Sequence, residues 1–280
     1  MMDARVRDNI FQNTGKMRML ALKMGRNAKG KGAHFGAGMS AMEIFSCLYG
    51  GAMKCKPQNS GELQDVLIVG KSHCVLAYYT ALAVYGYIPE DLLDTFDEDG
   101  TLLAGHPVMN DQLGIPFSGG SLGMALSQGV GIALSRKMKK SDSHIFVLLG
   151  DGECQEGAIW EAAMSASHYK LDNLTVIIDR NQLQYDGDTE EIMALGNFAN
   201  KWESFGFEVI QADGNKIEDI YSALVESREK KNEKPVCVLA HTVKGKGISF
   251  MEGKKEWHHK RISEEEYEKA RKELEDFYGM

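Results

Sequence analysis

Two short apolar runs, each stopping on oxygen-bearing residues, constrain this chain more than any other feature. Residues 144–149 form the first and stop at Gly150-Asp151-Gly152; residues 174–178 form the second and stop at Asp179-Arg180-Asn181. Runs of this length bounded by turn residues read as buried strands. Residues 155–169, between them, are helical in pattern, so the stretch is one βαβ unit. In an open parallel sheet, ligands gather outside the carboxyl ends of the strands, where Asp151 and Asn181 would both emerge. A carboxylate, a side-chain amide oxygen and the backbone carbonyl of Leu183 are hard donors that suit Mg²⁺ or Ca²⁺. Mg²⁺ usually keeps positions open for phosphate oxygens, so the expected cargo is a diphosphate bridged to the protein by metal. Gly150 and Gly152 would let backbone come close to it. Taken alone, Gly-Asp-Gly is ordinary turn chemistry; the second strand end is what lifts it above that.

With 280 residues the chain can form one large α/β unit, and its net charge of −8 argues against a polyanion-binding surface such as one for nucleic acid. Residues 1–10 carry charges and no apolar signal core, and no apolar run is long enough to span a bilayer, so the expected compartment is the cytoplasm, with no membrane partner. Five cysteines (47, 55, 74, 154 and 237) with no CxxC pair suit reduced thiols better than a disulfide framework or zinc.

Residues 3–28 carry apolar positions at helical spacing. A glycine-rich loop from Lys29 to Gly38 follows, containing His34, with Ser40 read as the cap of the next helix. The loop lacks the Walker spacing, and its glycines and single His are compatible with a plain loop. Residues 65–69 form a strand ending in Gly70-Lys71-Ser72-His73, and residues 75–85 return to helical spacing. Residues 89–96 read as a short helix opened by Pro89, and His106 stands before Pro107 on a loop. Residues 117–123 are glycine-rich and precede a helix over 124–134. Such glycines either expose N–H groups to an anion or let two helices pack closely, and the residues alone leave both open. Further strands are expected at 207–211 and 236–241, with a helix over 216–231 between them. Residues 263–278 form a charged helix with a Ser-Glu-Glu-Glu capping box. Repeated alternation of strand and helix implies a three-layer α/β/α fold around a mostly parallel sheet, as a single unit over 1–280.

GDGECQEG followed by DRNQLQYDG resembles the thiamin diphosphate motif of the transketolase family. The family pattern closes with two Asn; here Arg180-Asn181 stands there, and the metal-binding position is the second. The resemblance runs from about Asn13 to His258 with its pieces in the family order. It implies the thiamin-diphosphate-binding fold, with Asp151, Asn181 and the Leu183 carbonyl holding Mg²⁺, or Ca²⁺ or Mn²⁺ in its place. It implies cofactor contacts from Gly150, Asp151, Gly152, Glu156, Asn181, Leu183, Tyr185, His73 and His258. Gly120 and Leu122 would approach the cofactor through backbone, in a loop where Ser121 replaces a common Pro. His34, His73, His106 and His258 take the positions of active-site histidines facing the substrate, while His259 has no assigned role. Glu156 matches an acidic position that couples paired sites across a dimer interface; read from the residues alone it is a helix-start glutamate favoured by the dipole.

Members of this family move a two-carbon ketol unit from a ketose to an aldose. The resemblance covers only their diphosphate-binding part, which implies a separate C-terminal, pyrimidine-binding subunit, a heterotetramer of two plus two, and sugar phosphate substrates. Two readings of the same class share diphosphate binding: a deoxyxylulose-phosphate synthase and a 2-oxoacid dehydrogenase subunit. The set His34, His73 and His106 favours sugar chemistry, because imidazoles both donate to and accept from hydroxyls. A catalytically silent assembly module is the third alternative, against which the Asp151/Asn181 pair weighs.

Overall fold

Five apolar runs line up in parallel as one sheet: β1 (Val66–Val69), β2 (Ile145–Gly150), β3 (Leu174–Arg180), β4 (Glu208–Asp213) and β5 (Val236–His241), in the order β1-β2-β3-β5-β4. All four pairings are parallel, so the sheet that was expected to be mostly parallel is wholly so among the described residues. The structure, a computed structural model, describes residues 2–28, 31–56 and 64–280; Lys29 and Gly30 of the glycine-rich loop lie outside the described residues.

Helices cover both faces. They are α1 (Ala4–Asn27), α2 (Phe35–Ser40), α3 (Met42–Cys47), α4 (Val75–Val84), α5 (Ala125–Met138), α6 (Gly157–His168), α7 (Thr189–Ile192), α8 (Phe198–Ser204), α9 (Ile217–Glu229) and α10 (Glu264–Tyr278). Strand β2 shows why three layers form. Ile145, Val147 and Leu149 enter a core with Ile159 of α6 and Trp202 of α8. Phe146 and Leu148 point the other way, into a core with Met17 of α1, Leu76 of α4, Ile220 of α9 and Leu274 of α10. A strand buried on both faces has no polar side to alternate with, hence the unbroken apolar run. Each large side chain so buried contributes roughly 1.5–3 kcal/mol before entropy is counted. The chain steps forward from β1 to β3 but backward from β4 to β5. A right-handed crossover then places α9 on the opposite face from α6 and α8.

Local signals hold at most element ends. Asp3 caps α1, its Oδ1 accepting from the Arg5 and Val6 amides. Ser263 and Glu266 close the capping box of α10, whose Tyr278 lies where a Cβ at Gly15 of α1 would come within 2.6 Å of the ring. The segment expected as a helix over 89–96 is instead a 3-10 turn, Glu90–Thr95. Ser40 caps nothing: it ends α2, and its hydroxyl donates to Asp179 at 2.6 Å. Among the described residues no helix is long and apolar enough to cross a membrane.

Candidate active site

Asp151 directly follows β2 and is 3% exposed. Its Oδ1 accepts from the Gly152 amide at 2.8 Å and its Oδ2 from the Gln182 amide at 2.7 Å, so one carboxylate joins the turn after β2 to the turn after β3. Gln182 adopts φ +63°, which turns its N–H back toward Asp151. Burial, and then the neighbouring Asp179, push the Asp151 carboxyl up to about 6, against the pull of the two amides. Asn181 accepts from the Leu183 amide at 3.1 Å. The Leu183 carbonyl accepts a hydrogen bond from the Lys244 ammonium at 2.9 Å. The oxygen expected to face a metal therefore already faces a cation in this chain.

These donors fit a hard divalent cation. Asp151, Asn181 and the Leu183 carbonyl are all oxygen ligands, and a buried carboxylate with a raised pKa is one that a metal would relieve of its charge penalty. Among the described residues no group of three His, Cys, Asp or Glu side chains can hold a metal, so a site built wholly from such side chains is not what this turn offers.

The four histidines come together from four separate segments. His34, just before α2, is central: its ring lies 5.6 Å from that of His73, 5.9 Å from His106 and 5.7 Å from His258. His259, to which no role was assigned, lies nearer still at 4.5 Å. His73 and His258 stack at 5.1 Å, and the exposed Tyr185 meets His258 edge-on at 5.3 Å. Burial first, then the neighbouring imidazoles and Lys244, lower His34 to about 4; burial and Lys244 lower His258 to about 3. Burial, followed by Lys71, holds His73 well below its ordinary value. At neutral pH His34, His73 and His258 are thus uncharged donors and acceptors. Lys244 also donates to His258 Nδ1 at 2.8 Å, leaving the His258 ring proton on Nε2.

The other expected residues lie on the same strand-end face. Gly120 takes φ +140°, a conformation that strains any residue with a Cβ. Leu122 is 41% exposed. Gly150 and Gly152 flank Asp151, and a Cβ at Gly152 would come within 2.9 Å of Gln184. Glu156 is exposed at the start of α6 and makes no capping bond there, while a Cβ on Gly123 would come within 2.8 Å of its own Cβ.

Sequence reasoning missed the polar core beneath these residues. Asp179, in the middle strand, is fully buried and accepts from Lys71, Ser40 and Thr242. Burial alone would lower the Lys71 ammonium, but Asp179 more than offsets it and holds it above the ordinary value. Burial, then Lys71, lowers Lys244 to about 8. Burial raises Glu153 to about 7. A signal for the pair existed: a carboxylate closing an otherwise apolar central strand needs a buried cation, and Lys71 at another strand end was a candidate. A groove of about 1160 Å³, lined by Phe11, Arg18, Glu43, Lys246 and Phe277 among others, contains none of the expected site residues.

The lowered histidines make stability depend on pH. Between about pH 6.5 and 4 the unfolded imidazoles take up protons that the folded ones refuse, so the cluster's stabilisation is whole above that window and lost as pH falls through it. Buried His144 acts in the same direction, whereas Asp151 and Glu153, raised in the fold, act in the opposite one. With five lowered imidazoles (His34, His73, His144, His241 and His258) against two raised carboxyls, the melting temperature of the cofactor-free protein is expected to fall between pH 6.5 and 5, as read by scanning fluorimetry. A rise over that interval would show that the carboxyls dominate.

A parallel α/β sheet whose strand ends carry a hard-oxygen turn, a glycine loop and a nest of imidazoles defines the class, that of sheets binding an anionic cofactor at their carboxyl edge. Residues 12–277 match the family described as "Transketolase, thiamine diphosphate binding domain", and the chain belongs to that family. It is 42% identical over 249 residues to one of the named subunits of the apulose-4-phosphate transketolase of Phocaeicola vulgatus, covering 89% of this chain and 88% of that one. It is 44% identical over 246 residues to the like-named protein from Actinobacillus succinogenes, covering 88% of each. The solved transketolase of Campylobacter jejuni superposes with a TM-score of 0.87 at 28% identity, covering all of this chain and 43% of that one. The chain thus spans less than half the length of that transketolase.

Proposed function

We propose that the chain is the cofactor-holding subunit of a transketolase, transferring a two-carbon ketol unit from a ketose phosphate to an aldose phosphate. In this reading the site is completed by a separate pyrimidine-binding subunit, two copies of each forming a cytoplasmic heterotetramer. The observation that carries it is the convergence of the Asp151 turn and the histidine cluster at one set of strand ends. Relatives of similar length are each named as one subunit of a transketolase, which supports the division of labour.

Asp151, Asn181 and the Leu183 carbonyl would hold the metal, with Mg²⁺ the first candidate, and the thiamin diphosphate bound beside it would supply the electron sink for breaking the ketose carbon–carbon bond. The backbone amides of Gly120 and Leu122 bind the diphosphate. His34, His73 and His106 donate to and accept from substrate hydroxyls, and His34 and His73, being neutral, can take up a proton at an imidazole nitrogen without first losing one. His258, its Nδ1 occupied by Lys244, presents Nε2–H as a fixed donor. The exposed apolar side chains on neighbouring loops, among them Met109, Leu122, Met124 and Tyr185, give a partner subunit surface to cover. The histidine set favours sugar chemistry over a 2-oxoacid dehydrogenase.

The test is ketol transfer to ribose 5-phosphate with thiamin diphosphate and Mg²⁺, for this chain alone and mixed with the product of an adjacent C-terminal transketolase-like gene. Donors should include apulose 4-phosphate, after which two relatives are named. Activity is expected only in the mixture. Turnover by the chain alone would remove the partner from the proposal.

A further inference from the structure

The loop over residues 118–123 is tied to the fold at both ends. On one side the Gly119 amide donates to the Pro107 carbonyl at 2.9 Å, so close to β1 that a Cβ on Gly119 would sit 1.8 Å from the Ser72 hydroxyl oxygen. On the other side the Gly123 amide donates to Glu153 Oε1 at 3.0 Å. The second oxygen, Oε2, accepts from the Gly150 amide at 3.1 Å. Glu153 is 3% exposed and rests on the bare backbone of Gly70, where a Cβ would come within 2.5 Å of Oε1. One buried carboxylate therefore gathers the end of β1, the end of β2 and the loop. Between the two ties, a Cβ on Gly120 would meet nothing within 4 Å. The amides of Gly120 and Leu122 meet no acceptor among the described residues.

We propose that Glu153 is a positioning residue for diphosphate binding: its carboxylate holds the 118–123 loop against the Asp151 turn, so that the Gly120 and Leu122 amides face the same anion as the metal. The proposal rests on the functional reading above. Glu153 itself touches no ligand. A bare carboxylate here would repel a diphosphate, but both of its oxygens are turned inward onto amides, which satisfies them and spends their charge on the scaffold. The role depends on reach and on two acceptors, and both requirements can be broken separately.

Glu153→Gln keeps the shape but turns an NH₂ onto an amide that the second oxygen accepts, so one tie is lost. Glu153→Asp keeps the charge and loses the reach. Both variants are compared with the wild-type chain by hydrogen exchange, by Mn²⁺ binding without cofactor, and, mixed with the partner subunit, by calorimetric binding of inorganic pyrophosphate with Mg²⁺. Exchange at Gly123 or Gly150 is expected to accelerate by about tenfold or more, the loss of one charge-assisted bond. Pyrophosphate affinity should fall by about 10–100-fold, as for other outer-shell supports, while Mn²⁺ affinity stays within about twofold. That split is what a general loss of structure would not give. Unchanged exchange, or a wild-type pyrophosphate affinity in both variants, overturns the positioning role alone. Failure of the wild type to bind pyrophosphate with Mg²⁺ overturns the functional reading, and the positioning role with it.

Discussion

Lys71→Met is expected to destabilise the fold by about 3–5 kcal/mol, the usual effect of removing one partner from a buried ion pair. Lys71 is 1% exposed and Asp179 is fully buried, in the middle strand of the sheet. Without the ammonium, Asp179 keeps the hydroxyls of Ser40 and Thr242 but no cation, and a carboxylate in that position must either stay charged without a partner or take up a proton. The destabilisation comes from the stranded charge rather than from the loss of attraction. Lys71→Met with Asp179→Asn should therefore be less unstable than the sum of the two single variants, because the double variant strands nothing. Urea unfolding reads both, with the midpoint moving at constant slope. A single-variant loss below about 1 kcal/mol would mean that water or a proton reaches Asp179 readily.

The same pair shows where reading the sequence stops. β2, β3 and β5 were legible because burial on both faces writes an unbroken apolar run, and the capping box of α10 was legible because its partners are three residues apart. Lys71 and Asp179 are 108 residues apart, and Ser40 and Asp179 are 139 apart. No local rule pairs them until β1 and β3 are known to flank β2. A serine before an apolar stretch has the local use of a helix cap, but for Ser40 the tertiary partner takes precedence. The candidate histidines were found through the order of whole motifs, whereas His259, beside one of them, had no motif to mark it. Glu153 acts through two backbone amides and Lys244 largely through backbone carbonyls, and backbone partners leave no trace in side-chain patterns.

Asp151→Asn is expected to separate stability from function. In the cofactor-free protein the wild-type carboxylate is buried, with its pKa raised to about 6, so above that pH its charge opposes folding. The amide removes the charge, although its NH₂ meets an amide donor that one carboxylate oxygen had accepted. The melting temperature of the variant at pH 8 is therefore expected to lie near or above that of the wild type. Cofactor binding should respond in the opposite way, because the only anionic ligand among Asp151, Asn181 and Leu183 is gone. Outer-shell substitutions at metal sites weaken binding by about 10–100-fold, and loss of the charged ligand itself should exceed that. Mg²⁺-dependent thiamin diphosphate affinity, measured by calorimetry on the mixture with the partner subunit, is the decisive reading. Ketol transfer should fall at least as far, and extra Mg²⁺ should recover part of it if the defect is in metal affinity rather than in folding. Wild-type cofactor affinity in a folded Asp151→Asn variant would move the metal away from this turn. A variant that binds no cofactor and also melts far below the wild type would instead make Asp151 a structural bridge between β2 and β3, its two amide bonds mattering more than its charge.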